Sequence, residues 1–137
     1  MRLLGIDPGK KRVGLAVTDP LRIICSPLDT VDRPQLIAYL RGYINQEEVA
    51  SFILGLPKGL NGQETDGTLH ALEIEKDLKR AFPSISVVLH DERFTSKMAS
   101  QAIIQSGTRK KARRDKGLVD RTSAAIILQS YLEATAS

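Results

Sequence analysis

A mixed α/β fold, with a five-stranded sheet that is antiparallel in its first half and parallel in its second, is predicted by two patterns in this chain. Three strand-like runs, residues 2–7, 12–18 and about 22–30, follow one another through the tight connections Pro8-Gly9-Lys10-Lys11 and Asp19-Pro20-Leu21, and short-linked strands pair as an antiparallel meander. Beyond residue 32 helix and strand alternate, which implies parallel neighbours, right-handed crossovers and flanking helices. A length of 137 residues, 42% of them apolar and 26% charged, suits one domain over 1–137 around one hydrophobic core.

Each element has its own warrant. Leu3-Leu4-Gly5-Ile6 and Val13-Gly14-Leu15-Ala16-Val17 are apolar runs bounded by turn residues. Asp32 is placed as an N-cap, with Pro34 in the first turn, and Leu36, Ile37, Leu40, Tyr43 and Ile44 then fall on one helix face. Phe52-Ile53-Leu54 reads as a strand, Gly55 to Gly67 as a polar loop, and the following residues as a helix to about Phe82, stopped by Pro83. Ile85 to Leu89 is a strand, and a helix from Thr95 or Ser96 to about Ser106 follows it. An exposed basic loop over 108–117 then leads to a last helix, from about Val119 to Glu133.

Composition excludes several function classes. The lone Cys25 cannot form an internal disulfide, and Met1-Arg2 enters a strand without a signal-peptide pattern, so a cytoplasmic location is expected. No apolar run approaches the roughly 20 residues that span a bilayer. The formal charge is +4, but Arg109, Lys110, Lys111, Arg113, Arg114 and Lys116, less Asp115, carry +5 within eight positions and leave −1 for the rest. Such clustering marks either a polyanion contact or a solvated loop. Three Tyr, three Phe and no Trp offer no base-stacking platform, so contacts to phosphates and duplex shape should dominate binding.

The chemistry is carried by acids at element ends. Asp7 closes the first strand within Gly5-Ile6-Asp7-Pro8-Gly9, where a strand holds the carboxylate rigidly and glycine lets another backbone or a phosphate approach. Asp91 and Glu92 stand past the strand ending at Leu89, and Asp120 heads the last helix. Oxygen ligands suit Mg²⁺ or Mn²⁺, whereas two His and one Cys cannot supply a zinc site. Two such ions about 3.5–4 Å apart would generate a nucleophile and neutralise the leaving oxygen of a phosphodiester. Neighbours on an extended segment face opposite ways, so only one of Asp91 and Glu92 can join Asp7.

Plainer roles exist for each acid. Asp120 could cap its helix or sit in its first turn, Glu92 could be an exposed strand end, and Asp-Pro-Gly could be a simple turn. The loop Gly55-Leu56-Pro57-Lys58-Gly59-Leu60-Asn61-Gly62 lacks the ending of a Walker A motif and is either a phosphate contact or a connector. His70 and His90 have no partner at useful spacing and read as surface or core-edge residues. Lys10, Lys11 and Arg12 beside Asp7, then Arg93, Thr95 and Lys97 at a helix start, and the basic run 109–116 are candidate nucleic-acid contacts.

Four segments, in order, resemble the YqgF-like family of Holliday-junction resolvases and nucleases that mature the 5′ end of precursor 16S rRNA. They are Gly5-Ile6-Asp7-Pro8-Gly9 with Arg12-Val13-Gly14-Leu15-Ala16 and Thr18-Asp19-Pro20; Gly55-Leu56-Pro57; Asp91-Glu92-Arg93-Phe94-Thr95-Ser96; and Asp120 with Ala124 to Leu132. The resemblance implies a ribonuclease-H-like fold and an acidic triad of Asp7, Glu92 and Asp120, selecting Glu92 over Asp91. It does not extend to the residues after Pro57, so nothing is carried to Lys58 or Asn61. The leading expectation is therefore a nuclease using Mg²⁺ or Mn²⁺, as two ions, on precursor rRNA, acting as a monomer or weak dimer. Its rivals are a resolvase of branched DNA, a non-catalytic RNA-binding assembly factor, and half of an actin-like ATP-binding enzyme.

Overall fold

The computed structural model describes residues 1–57, 66–92 and 116–135. The described elements are β1 (Arg2–Asp7), β2 (Arg12–Thr18), β3 (Cys25–Asp32), α1 (Leu36–Gln46), β4 (Val49–Pro57), α2 (Asp66–Ala81), β5 (Ser86–Glu92) and α3 (Lys116–Thr135). The five strands form one sheet in the order β3-β2-β1-β4-β5. β1 pairs antiparallel with β2, as β2 does with β3, while β1 with β4 and β4 with β5 are parallel. The expected mixed sheet is therefore present. The helix expected between residues 95 and 106 and the basic loop up to residue 115 lie outside the described residues.

Alternation along the strands sorts apolar residues onto two faces. Leu4, Ile6, Val13, Leu15, Phe52 and Leu54 point to one, which α1 covers with Leu36 and Leu40 and α2 covers with Ile74 and Leu78. Phe82 closes this layer, its ring tilted 5.6 Å from that of Phe52. Leu3, Ala16 and Ile53 point to the other face, against Ala124, Ile127 and Leu128 of α3. Helices thus cover both faces, as a sheet with a parallel half requires.

Three boundaries differ from the sequence-based expectation. The third strand begins at Cys25, not near residue 22, because Asp19 organises the preceding turn. Its Oδ1 accepts from the backbone N–H groups of Ile23 and Ile24, both at 2.7 Å, and Oδ2 from that of Leu21 at 3.3 Å. These bonds, led by that from Ile24, hold the Asp19 carboxyl below its ordinary range. At the strand's other end, Asp32 takes the N-cap position of a short 3₁₀ turn, Arg33–Gln35, but its side chain makes no capping bond. Instead, α1 is entered through that turn, and the N–H of Arg33 donates to the carbonyl of Lys11.

The third difference is the length of β4. It continues to Pro57, with Gly55 paired to His90 and Pro57 to Glu92, so Gly55 belongs to the ladder and not to a loop. A Cβ there would lie 2.5 Å from Cδ1 of Ile127. Two more glycines keep the same face low. A Cβ on Gly5 would meet the carbonyl oxygen of Ala124 at 2.9 Å, and one on Gly14 would overlap the backbone of Asp120. Adjacent strands β2, β1 and β4 thus each present a glycine where α3 crosses them.

A methyl group at Gly14 cannot be relieved by turning a side chain, since its obstacles are main-chain atoms. Gly14→Ala is expected to destabilise the protein by about 1–3 kcal/mol through displacement of α3. An unchanged denaturant midpoint would contradict the close packing.

Candidate active site

Asp7 is the last residue of β1, the central strand, and its cross-strand partner is Gly14 of β2. Directly opposed residues in an antiparallel pair project to the same face. The Gly14 face carries α3, and the backbone of Asp120 rests on it. The fold therefore brings Asp7 and Asp120, 113 positions apart in the chain, to the same spot. Both side chains are partly exposed, so solvent reaches them.

Asp120 is the fifth residue of α3, and the first turn of that helix holds no acid. The N-cap and first-turn roles considered for it are thereby removed. Its Oδ2 instead accepts a bond from Nε of Arg12 at 3.1 Å, an ion pair whose side chains are 27% and 41% exposed, respectively. Arg12 starts β2 two residues before Gly14, on the same face. Lys10 and Lys11 are exposed in the connection between Asp7 and Arg12.

Glu92 is the last residue of β5 and pairs with Pro57, the last of β4. Its side chain lies outside those described, but its backbone ends at the same sheet edge as Asp7. Asp7, Pro57 and Glu92 thus mark the carboxyl ends of three parallel strands, where α/β sheets place their ligands. Two strand spacings, about 10 Å, separate β5 from β1. Asp91 is exposed and alternates to the side of the sheet opposite His90. Arg93, Thr95, Lys97, Arg109, Lys110, Lys111, Arg113 and Arg114 lie outside the described residues, as do Lys58 and Asn61. Lys116 begins α3, with its side chain not among those described.

The donors present fit a hard divalent cation. Asp7 and Asp120 offer carboxylate oxygens, the ligand type that such a cation prefers, and the Arg12 guanidinium rests on Asp120. Among the described residues no group of three or more His, Cys, Asp or Glu side chains is arranged to hold a metal. The described part of the site is a pair of acids.

Both histidines have partners that sequence spacing did not reveal. Nε2 of His90 is 3.0 Å from Oγ of Ser130 on α3, and its ring meets Tyr131 edge-on at 5.9 Å. Nδ1 of His70 lies 3.2 Å from a guanidinium nitrogen of Arg33, which also pairs with Glu73 at 2.7 Å. Each contact joins residues about 40 positions apart, beyond the reach of any local pattern.

With this geometry in place, comparison with known proteins is decisive. A family model described as RuvX, Holliday junction resolvase, matches residues 1–134. The chain belongs to that family. A relative from Porphyromonas gingivalis (strain ATCC BAA-308 / W83), named "Putative pre-16S rRNA nuclease", is 50% identical over 132 residues and 96% of each chain. Among solved structures, the Fowlpox virus resolvase in complex with Holliday junction DNA superposes with a TM-score of 0.62 at 14% identity, covering 100% of both chains. RuvC of T. thermophilus, bound to a Holliday junction substrate, gives 0.54 at 16% identity over 99% of this chain and 96% of its own. These likenesses show the RNase H-like resolvase fold of this RuvX-family chain.

Ser123, one turn beyond Asp120 on α3, is fully buried, and its Oγ has no hydrogen-bond partner among the described residues. A buried hydroxyl left unpaired is a net cost. Ser123→Ala is expected to raise stability by about 1 kcal/mol, visible as a higher denaturant midpoint. A fall in the midpoint would show that the hydroxyl is satisfied.

Proposed function

We propose that this RuvX-family nuclease hydrolyses phosphodiester bonds at the 5′ end of precursor 16S rRNA, with Asp7, Glu92 and Asp120 as ligands of Mg²⁺ or Mn²⁺. The observation that carries the reading is the seating of Asp120 on Gly14, the cross-strand partner of Asp7. The substrate follows from the relative that shares half of its residues with this chain over nearly its whole length. No helix among the described residues is long and apolar enough to cross a membrane, and the reading places the enzyme in the cytoplasm, where ribosomal RNA is trimmed.

When bound, a pair of divalent ions supplies an activated nucleophile and neutralises charge on the leaving oxygen. The chain's own residues do the positioning. Asp7 projects from the central strand, whose hydrogen bonds on both edges restrict its movement. Asp120 is held on the other side by the packing of α3. Lys10 and Lys11, exposed beside Asp7, are placed to take phosphates of the substrate strand. The basic run 109–116 adds sequence-independent affinity, which should weaken with salt.

A second reading, resolution of four-way DNA junctions, is favoured by the family model's description and by the resolvases that share the fold. The relative's 50% identity outweighs the 14–16% of those resolvase structures. A cleavage assay on precursor rRNA ends, DNA junctions and single strands, with Mg²⁺ or Mn²⁺, separates the two. Cleavage of the rRNA end is expected, and Asp7→Asn should lower it by at least about 10²-fold while leaving the fold and RNA binding intact. Preference for junctions would favour resolution, and binding without hydrolysis under any divalent ion would favour the assembly-factor role. Unchanged turnover in Asp7→Asn would reject the site.

A further inference from the structure

We propose that Arg12 is the resident counter-ion of Asp120, held on the carboxylate until a divalent cation displaces it. The inference rests on the metal-site reading above and extends it to a residue that sequence reasoning treated only as a nucleic-acid contact. The fold sets the backbone of Asp120 against Gly14, the strand position opposite Asp7, and a cation beside a carboxylate favours its charged form. Arg12 supplies that cation, with Nε at 3.1 Å. A guanidinium stays protonated at every physiological pH, so only competition can remove it.

Two features mark the contact as exchangeable. At 41% and 27% side-chain exposure the pair is open to solvent, and such pairs contribute little to stability. Arg12 also stands at the first position of its strand, directly after the exposed Lys10 and Lys11, where a long side chain has room to swing. The Asp120 carboxylate would exchange the delocalised single charge of Arg12 for a doubly charged ion, which attracts it more strongly. Once released, the guanidinium remains beside the site with its donors free for a phosphate, the group its planar fork suits best. Arg12 is thus a positioning residue that couples metal entry to substrate binding.

The sign of one measurement separates this from a purely structural role. Mn²⁺ binding to the full chain would be titrated calorimetrically for wild type, Asp7→Asn, Arg12→Gln and Arg12→Lys. Arg12→Gln should bind Mn²⁺ about two- to fivefold tighter than wild type, since the competitor is gone. Arg12→Lys, which keeps the charge but loses the fork, should fall between them. A structural role predicts the opposite, a loosened Asp120 and weaker binding. Equal or weaker affinity in both Arg12 variants, with Asp7→Asn still impaired, overturns the inference alone. Absence of binding to wild type, or wild-type binding by Asp7→Asn, overturns the metal-site reading and this inference with it.

Discussion

The contact on which the site depends is main chain against main chain: α3 lying on a floor of glycine. Gly14, Gly5 and Gly55 occupy three adjacent strands; an added carbon would collide with the backbone of Asp120 at the first and of Ala124 at the second, and with the Ile127 side chain at the third. Side-chain packing tolerates adjustment, but backbone atoms have nowhere to go. This closeness sets the height of α3 above the sheet, and with it the distance from Asp120 to the carboxylate that ends β1. Larger residues at these positions would still leave a sheet and a helix, yet would lift the acid away from its counterpart.

Electrostatics follows from that geometry. Folding sets Asp7 and Asp120 on one face of the sheet, where a cation beside a carboxylate favours its charged form. In this structure Arg12 is that cation for Asp120. On the proposed reading the same two acids would attract divalent ions, so a single arrangement would serve the ion pair and the chemistry proposed for this RuvX-family nuclease. The carboxyl ends of β1, β4 and β5 lie side by side at that end of the sheet, with Asp7 and Glu92 as the last residues of β1 and β5.

Particular residues show how far local patterns reach. The apolar runs of β1 and β2 and the one-faced spacing of apolar residues in α1 can be counted along the chain. The position of Asp7 at the end of a buried strand was legible from the apolar run before it and the glycines around it. Gly55 was misread as a loop residue, since a glycine needed for a close approach looks the same as one needed for a turn. The start of β3 was placed three residues early because Asp19 captures amide groups that a strand would otherwise use. Asp32 has the residue type and position of a cap, but its side chain makes no capping bond.

The linear order of residues by itself determined the two-faced strands, the mixed sheet and the chemical identity of the acids, because these depend on neighbours within a few positions. Tertiary structure alone decided that Arg12 meets Asp120 across 108 positions, that His90 and His70 are engaged, and that the glycines serve packing. Contacts between distant segments depend on which faces come to rest on one another, and nothing periodic in a chain records the outcome.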